Sequence, residues 1–128
     1  MADKVVDASA LAAVVFEEPA SQQIVQRLAG ATLFAPPILV FELANIAWKK
    51  SLKYPDQAER INLALEAFLL LPVRQIATDF LRILDLAIST GVTTYDAAYL
   101  VAAQEMSVEL VTLDKKLEAI ALRLAPPA

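Results

Sequence analysis

The sequence predicts a single α/β domain over residues 1–128, built on a central parallel sheet of four to five strands with helices on both faces. Three observations lead there. The length of 128 residues falls where single domains are most common and suffices to bury a core. Short apolar, strand-like pieces alternate with longer segments of helical periodicity, the pattern of parallel strands joined by helical crossovers. No linker, repeat or low-complexity stretch divides the chain.

Lys4 to Asp7 reads as a short buried strand. A helix follows from about Ser9 to Phe16. A second runs from about Ala20 to Leu28 and stops at Gly30, a residue suited to the left-handed turn after a helix. Thr32 to Ala35 is the next strand. Pro36-Pro37 opens a helix over Ile38 to Leu52, because proline at the first helical position gives up no needed donor. Pro55 restarts a helix to about Leu71, and Val73 to Ile76 is strand-like. Thr78-Asp79 caps a helix that ends at Thr90-Gly91, and Thr93 caps another through Glu105. Glu109 to Leu113 is a strand, Asp114 begins a helix, and a weak fifth strand is expected near Leu122.

The chain has no histidine and no cysteine. That excludes a Ser-His-Asp triad, a Cys-His pair, histidine acid–base catalysis, a structural zinc knot and disulfides. Catalysis would have to use carboxylates, lysines, hydroxyls or a bound metal. The absence of cysteine suits a reducing compartment. Hydrophobic residues make up 58% of the chain, above the usual share of about 45 to 50%. Apolar surface left over from the core, as at Phe80, Leu81, Ile83, Leu84, Ala87 and Ile88, leads us to expect a homodimer. The longest uncharged run, Leu28 to Phe41, is too short to span a bilayer and contains Pro36 and Pro37. Asp3 and Asp7 sit where a secretory signal needs a basic start and an unbroken apolar stretch. The expectation is a cytoplasmic protein with no membrane partner.

Ligands of open α/β sheets bind beyond the carboxyl ends of the strands. Asp7 and Asp114 each follow a strand at that end, while Glu42 and Asp96 lie in the opening turns of helices. All four acids are thus candidates for one rim. Three also suit simple capping: Asp7 and Asp114 precede helices, and Asp96 stands three residues after Thr93. Glu42 differs, being the only charged residue between Arg27 and Lys49. A buried, unpaired carboxylate is costly, so Glu42 should face a cleft or a cation. Helical spacing puts Asn45 and Lys49 on its stripe.

Carboxylates gathered without counter-charges repel one another and call for a cation. Oxygen ligands in an open site favour Mg²⁺ or Mn²⁺, ions that hydrolyse phosphodiesters without histidine.

The segments Val5-Val6-Asp7-Ala8-Ser9-Ala10-Leu11, Phe41-Glu42-Leu43-Ala44-Asn45, Thr94-Tyr95-Asp96-Ala97-Ala98-Tyr99-Leu100 and Leu110-Val111-Thr112-Leu113-Asp114-Lys115-Lys116-Leu117 resemble the PIN-domain ribonucleases, and among them the VapC-type toxins. The resemblance spans nearly the whole chain, with the segments in the family's order. It implies a sheet ordered 3-2-1-4-5. It also implies endonucleolytic cleavage of RNA by an acidic quartet of Asp7, Glu42, Asp96 and Asp114. Asp7 and Asp96 would be the direct Mg²⁺ or Mn²⁺ ligands, with Glu42 and Asp114 acting through water or a second ion. Ser9 and Thr112 match the family's accompanying hydroxyls, although both also suit local capping of backbone amides. A small antitoxin protein, sending a basic side chain into the acidic pocket to displace the metal, is the implied partner.

The net charge of −4 runs against the phosphate neutralisation on which nucleic-acid binding usually depends. Lys49, Lys50, Lys53, Lys115 and Lys116 are the candidates to offset it near the rim. The alternatives are an RNA-processing nuclease without an antitoxin, a noncatalytic module, and a receiver-like Mg²⁺-binding domain. The last fits poorly, because no acid pair stands at Asp7 and Val73-Arg74-Gln75-Ile76 leads into the helix cap Thr78-Asp79 rather than a phosphoacceptor. An Asp-x-Asp phosphatase is weakened in the same way, since Ser9 occupies the second acid's place.

Overall fold

A computed structural model describes residues 2–125, so the outermost limits of the expected domain, residue 1 and residues 126–128, lie outside the described residues. The elements are β1 (Asp3–Val6), α1 (Ala8–Val15), α2 (Ser21–Leu28), β2 (Thr32–Ala35), α3 (Ile38–Lys53), a 3-10 turn (Pro55–Gln57), α4 (Ala58–Phe68), β3 (Arg74–Gln75), α5 (Phe80–Thr90), α6 (Thr94–Met106), β4 (Glu109–Val111) and α7 (Lys115–Leu124). The four strands form one sheet in the order β3-β2-β1-β4, and every neighbouring pair is parallel.

Val5 and Val6 of the central strand are both wholly buried. Successive strand residues point to opposite faces, so both faces of the sheet are covered there. Around them the core gathers Leu11, Leu43, Tyr99, Leu100, Val111 and Leu117. The helix stops follow local chemistry. Gly91 takes the left-handed conformation, φ 78°, that closes α5. Asp7, Asp79, Thr93 and Asp114 each accept backbone N–H bonds at the start of a helix.

Three departures from the sequence reading bear on the architecture. The helix expected from Pro55 to Leu71 ends at Phe68, because Pro72 disfavours helical backbone at Leu71 and Phe68 is the last side chain it buries. The strand expected to reach Leu113 ends at Val111, since Thr112 turns its hydroxyl back toward Asp7. The fifth strand near Leu122 is absent from the described residues, and that position lies inside α7. Leu117, Ile120, Ala121 and Leu124 face the core at helical spacing, leaving Leu122 exposed. The order is therefore 3-2-1-4, with β4 at the edge. Among the described residues no helix is long and apolar enough to cross a membrane.

Candidate active site

Pairing of Val6 with Val111 brings the carboxyl ends of β1 and β4 to the same rim, where the Asp7 amide donates to the Val111 carbonyl at 3.1 Å. Asp7 then caps α1, and Asp114, three residues beyond the end of β4, caps α7 through the Leu117 amide at 3.0 Å. Glu42 arrives from the second turn of α3 and Asp96 from the first turn of α6, whose start is held by Thr93. All four acids line one open cleft of about 500 Å³.

Asp7 is the most enclosed of them. Its Oδ1 accepts from the Ser9 hydroxyl at 2.7 Å and the Ala10 amide at 3.0 Å, while Oδ2 accepts from the Thr112 hydroxyl. A hydroxyl has one proton to give. Both protons go to Asp7, so the 3.3 Å approach of Ser9 Oγ to Thr112 Oγ1 is a contact between two acceptors. The same oxygens accept from the Leu113 and Asp114 amides. Ser9 and Thr112 thus cap backbone and clasp Asp7 at once, and the clasp favours its ionised form. Burial pushes the Asp7 carboxyl above its ordinary value, the hydrogen bonds from Thr112, Ala10 and Ser9 pull it back, and the charge of Asp114 adds to the rise.

Glu42 is held from across the cleft. The Tyr99 hydroxyl donates to its Oε1 at 2.6 Å, tying α6 to α3. Burial raises the Glu42 carboxyl, the Tyr99 bond opposes that, and Asp96 and Asp7 raise it further. Burial and the Glu42 carboxylate push the Tyr99 hydroxyl well above its ordinary value, so it remains a donor. Asp96 is raised by burial and then by Asp114 and Asp7, against a smaller lowering by Lys116. Tyr99 carries no role in the sequence reading. Its signal was a large polar residue three positions after Asp96, on the same helical face.

Of the candidate lysines, Lys49 lines the cleft and Lys116 is near enough to act on Asp96. Lys50 is turned away, bonded to Glu18 at 2.6 Å and set over the Phe16 ring, and Lys53 lies over the Tyr54 ring.

The donor set suits a hard cation. Every candidate ligand is an oxygen, and three of the acids are raised partly by one another's charge, a strain that a cation relieves. Among the described residues no three acids surround a single point closely enough to enclose an ion directly. An ion held by one or two carboxylates and completed by water, the usual manner of Mg²⁺, fits that spacing.

The sequence matches the PIN domain over residues 4–122. The chain belongs to the PIN-domain family. It is 36% identical over 118 residues to Ribonuclease VapC3 of Pyrobaculum aerophilum, an alignment covering 88% of this chain and 90% of that protein. Its fold resembles the crystal structure of PAE2754 from Pyrobaculum aerophilum, with a TM-score of 0.73 at 22% identity over 97% of this chain and 96% of the other. Membership sets aside the receiver-type alternative. In this PIN domain two other grooves, one beside β4 and α7 and one between α1, α3 and α4, contain none of the four rim acids.

Proposed function

We propose that this PIN domain is a Mg²⁺- or Mn²⁺-dependent endoribonuclease that serves as the toxin of a VapBC-type toxin–antitoxin pair. The observation that carries the reading is the meeting of Asp7, Glu42, Asp96 and Asp114 in one cleft, with Asp7 clasped by Ser9 and Thr112. The likeness to a protein named Ribonuclease VapC3 supplies the substrate class.

Asp7 and Asp96 would hold the metal directly, with Glu42 and Asp114 acting through water or a second ion. When bound, the metal supplies Lewis acidity: an acidified water, a held nonbridging phosphate oxygen and relief of charge on the leaving oxygen. The chain's own groups prepare the site. Ser9 and Thr112 fix both Asp7 oxygens before any ligand arrives, which limits reorganisation during reaction. Tyr99 holds Oε1 of Glu42 and leaves Oε2 to orient a water or take its proton. Lys49 and Lys116 offset part of the phosphate charge at a cleft that is otherwise acidic.

Purified protein should cleave structured RNA in Mg²⁺ or Mn²⁺, stop on addition of EDTA, and resume with excess Mn²⁺. Cleavage indifferent to EDTA would refute the metal-dependent reading. The antitoxin reading expects a small DNA-binding protein in the neighbouring reading frame, with a basic side chain that enters the cleft. We place the protein in the cytoplasm.

The homodimer belongs to the same reading. On α5, Ile83 and Ala87 pack against α6, whereas Phe80, Leu81 and Ile88 stand 82%, 78% and 75% exposed. A second copy covering that face would hide them. Light scattering should give twice the monomer mass of 13.9 kDa, and a Leu81→Glu variant should return toward one copy. A monomeric wild-type protein would contradict this.

A further inference from the structure

The sheet ends at β4, and a groove of about 530 Å³ runs along that edge. Leu110 forms part of its floor, and Leu100 and Ala103 of α6 with Ala121, Leu122 and Leu124 of α7 flank it. In a parallel ladder the residues of one strand bond alternately to either side. The Val111 carbonyl accepts from the Asp7 amide, so Val111 bonds toward β1, and the N–H and C=O of Leu110 point outward. Among the described residues neither of these two groups has a partner. Leu110 is only 5% exposed, so both are drawn back from bulk water without a replacement bond, a costly state for backbone. A donor and an acceptor on one residue of an open edge strand match the backbone of another strand.

We propose that the open edge of β4 takes an extended segment of another polypeptide as a fifth strand, apolar at alternate positions and basic beside Glu118. This goes beyond the ribonuclease reading and asks nothing of the acid cleft. Strand addition draws affinity from main-chain hydrogen bonds and specificity from pockets for alternate side chains, and the groove offers both. The chain does not fill the place with its own continuation. α7 carries it past the edge, and the residues after Ala125 are Pro126 and Pro127, which have no N–H to give a ladder. A second copy does not fit either, because the α6 and α7 that flank its own edge would collide before the two β4 strands met. A single strand is thin enough, and β4 offers it three residues, about 10 Å of edge. The charges select a basic segment. Arg27 lines the groove but is held by Glu109 at 2.6 Å, and it reaches Glu118 only at 3.7 Å, leaving that half-exposed carboxylate loosely paired.

The test reads the Leu110 amide directly, so a failure of metal-dependent cleavage would not obscure it. Two end-capped six-residue peptides of alternating valine and threonine, one with lysine in place of its first residue and one with lysine in place of its last, are titrated into the full chain and followed by amide NMR and hydrogen exchange. One of the two should shift the Leu110 amide saturably and slow its exchange at least about tenfold. N-methylation of one alternate set of peptide amides should abolish binding, and N-methylation of the other set should leave it intact. Glu118→Gln should weaken the lysine peptide about two- to fivefold, as loss of a surface ion pair does, and leave a peptide with glutamine in the lysine's place unchanged. No response at Leu110 to either peptide, or binding that survives both N-methylation patterns, would overturn the proposal. So would a Leu110 amide already protected in the protein alone: protection independent of concentration would assign the edge to the chain itself, and protection that grows with concentration would assign it to a second copy.

Discussion

Replacing Asp7 with Asn is expected to lower RNA cleavage about a thousandfold or more, a barrier increase of about 4 kcal/mol, while the protein stays folded. The retained fold follows from the hydrogen bonds. An Asn carbonyl oxygen can still accept from the Ala10 amide and the Ser9 hydroxyl, as Oδ1 of Asp7 does. The Asn amide would face Thr112, whose hydroxyl has a second lone pair beside the one taken by the Asp114 amide. What disappears is the charge of a proposed metal ligand. Altering only the groups that orient a ligand typically costs about 10- to 100-fold, so loss of the ligand itself should cost more. Steady-state cleavage with circular dichroism on the same sample checks both halves. A folded variant retaining more than about a tenth of the activity would sink the assignment of Asp7.

Glu42→Gln should move activity and stability in opposite directions. Activity should fall about 100-fold, because the amide cannot take a proton or hold a water as a carboxylate does. The metal-free protein should become more stable at neutral pH. Glu42 is raised from its ordinary value of 4.5, first by burial and then by Asp96 and Asp7. A carboxyl raised in the folded state contributes stability that is full below its unfolded value and fades as pH rises through the folded one. At neutral pH the apoprotein therefore carries the cost of a charged Glu42. Gln removes that cost and keeps an oxygen for the Tyr99 hydroxyl. In EDTA its thermal midpoint should exceed the parent's at pH 7, and the gap should close as pH falls toward 4.5. Added Mn²⁺ should stabilise the parent more, since ligand binding raises stability in proportion to affinity. A variant less stable than its parent in EDTA at pH 7 would show that Glu42 serves the fold.

Features that depend on neighbouring residues were legible in the sequence. Capping side chains at Asp79, Thr93 and Asp114 and the glycine stop at Gly91 each declare themselves within a turn of helix. The carboxyl-end rule for open α/β sheets put Asp7 and Asp114 on one rim provided their strands are neighbours, an adjacency that only the family resemblance implied. Glu42 stood out because burial of a lone charge needs a reason.

Contacts across the chain were not legible. The clasp on Asp7 depends on Thr112, 105 positions away, and the hold on Glu42 depends on Tyr99, 57 positions away. Both need the register of β1 on β4 and the packing of α6, which no local window contains. The missing fifth strand has a different cause. An apolar run near Leu122 fits either period when read over a few residues, and only the burial of Leu117, Ile120, Ala121 and Leu124 together decides for a helix. On α5 the periodicity marked an apolar segment without showing that Ile83 and Ala87 turn inward while Phe80 and Leu81 remain in water.

The central claim is that this cleft binds the metal that cleaves RNA. Crystals grown in Mn²⁺ at a concentration that supports cleavage, with data collected at the manganese edge, test it most directly. An anomalous peak is expected in the cleft against Asp7 and Asp96, with Glu42 and Asp114 reached through water or a second peak, and it should be lost in Asp7→Asn. A cleft without manganese in protein that cleaves RNA under the same conditions, or a peak bound away from these carboxylates, would contradict it.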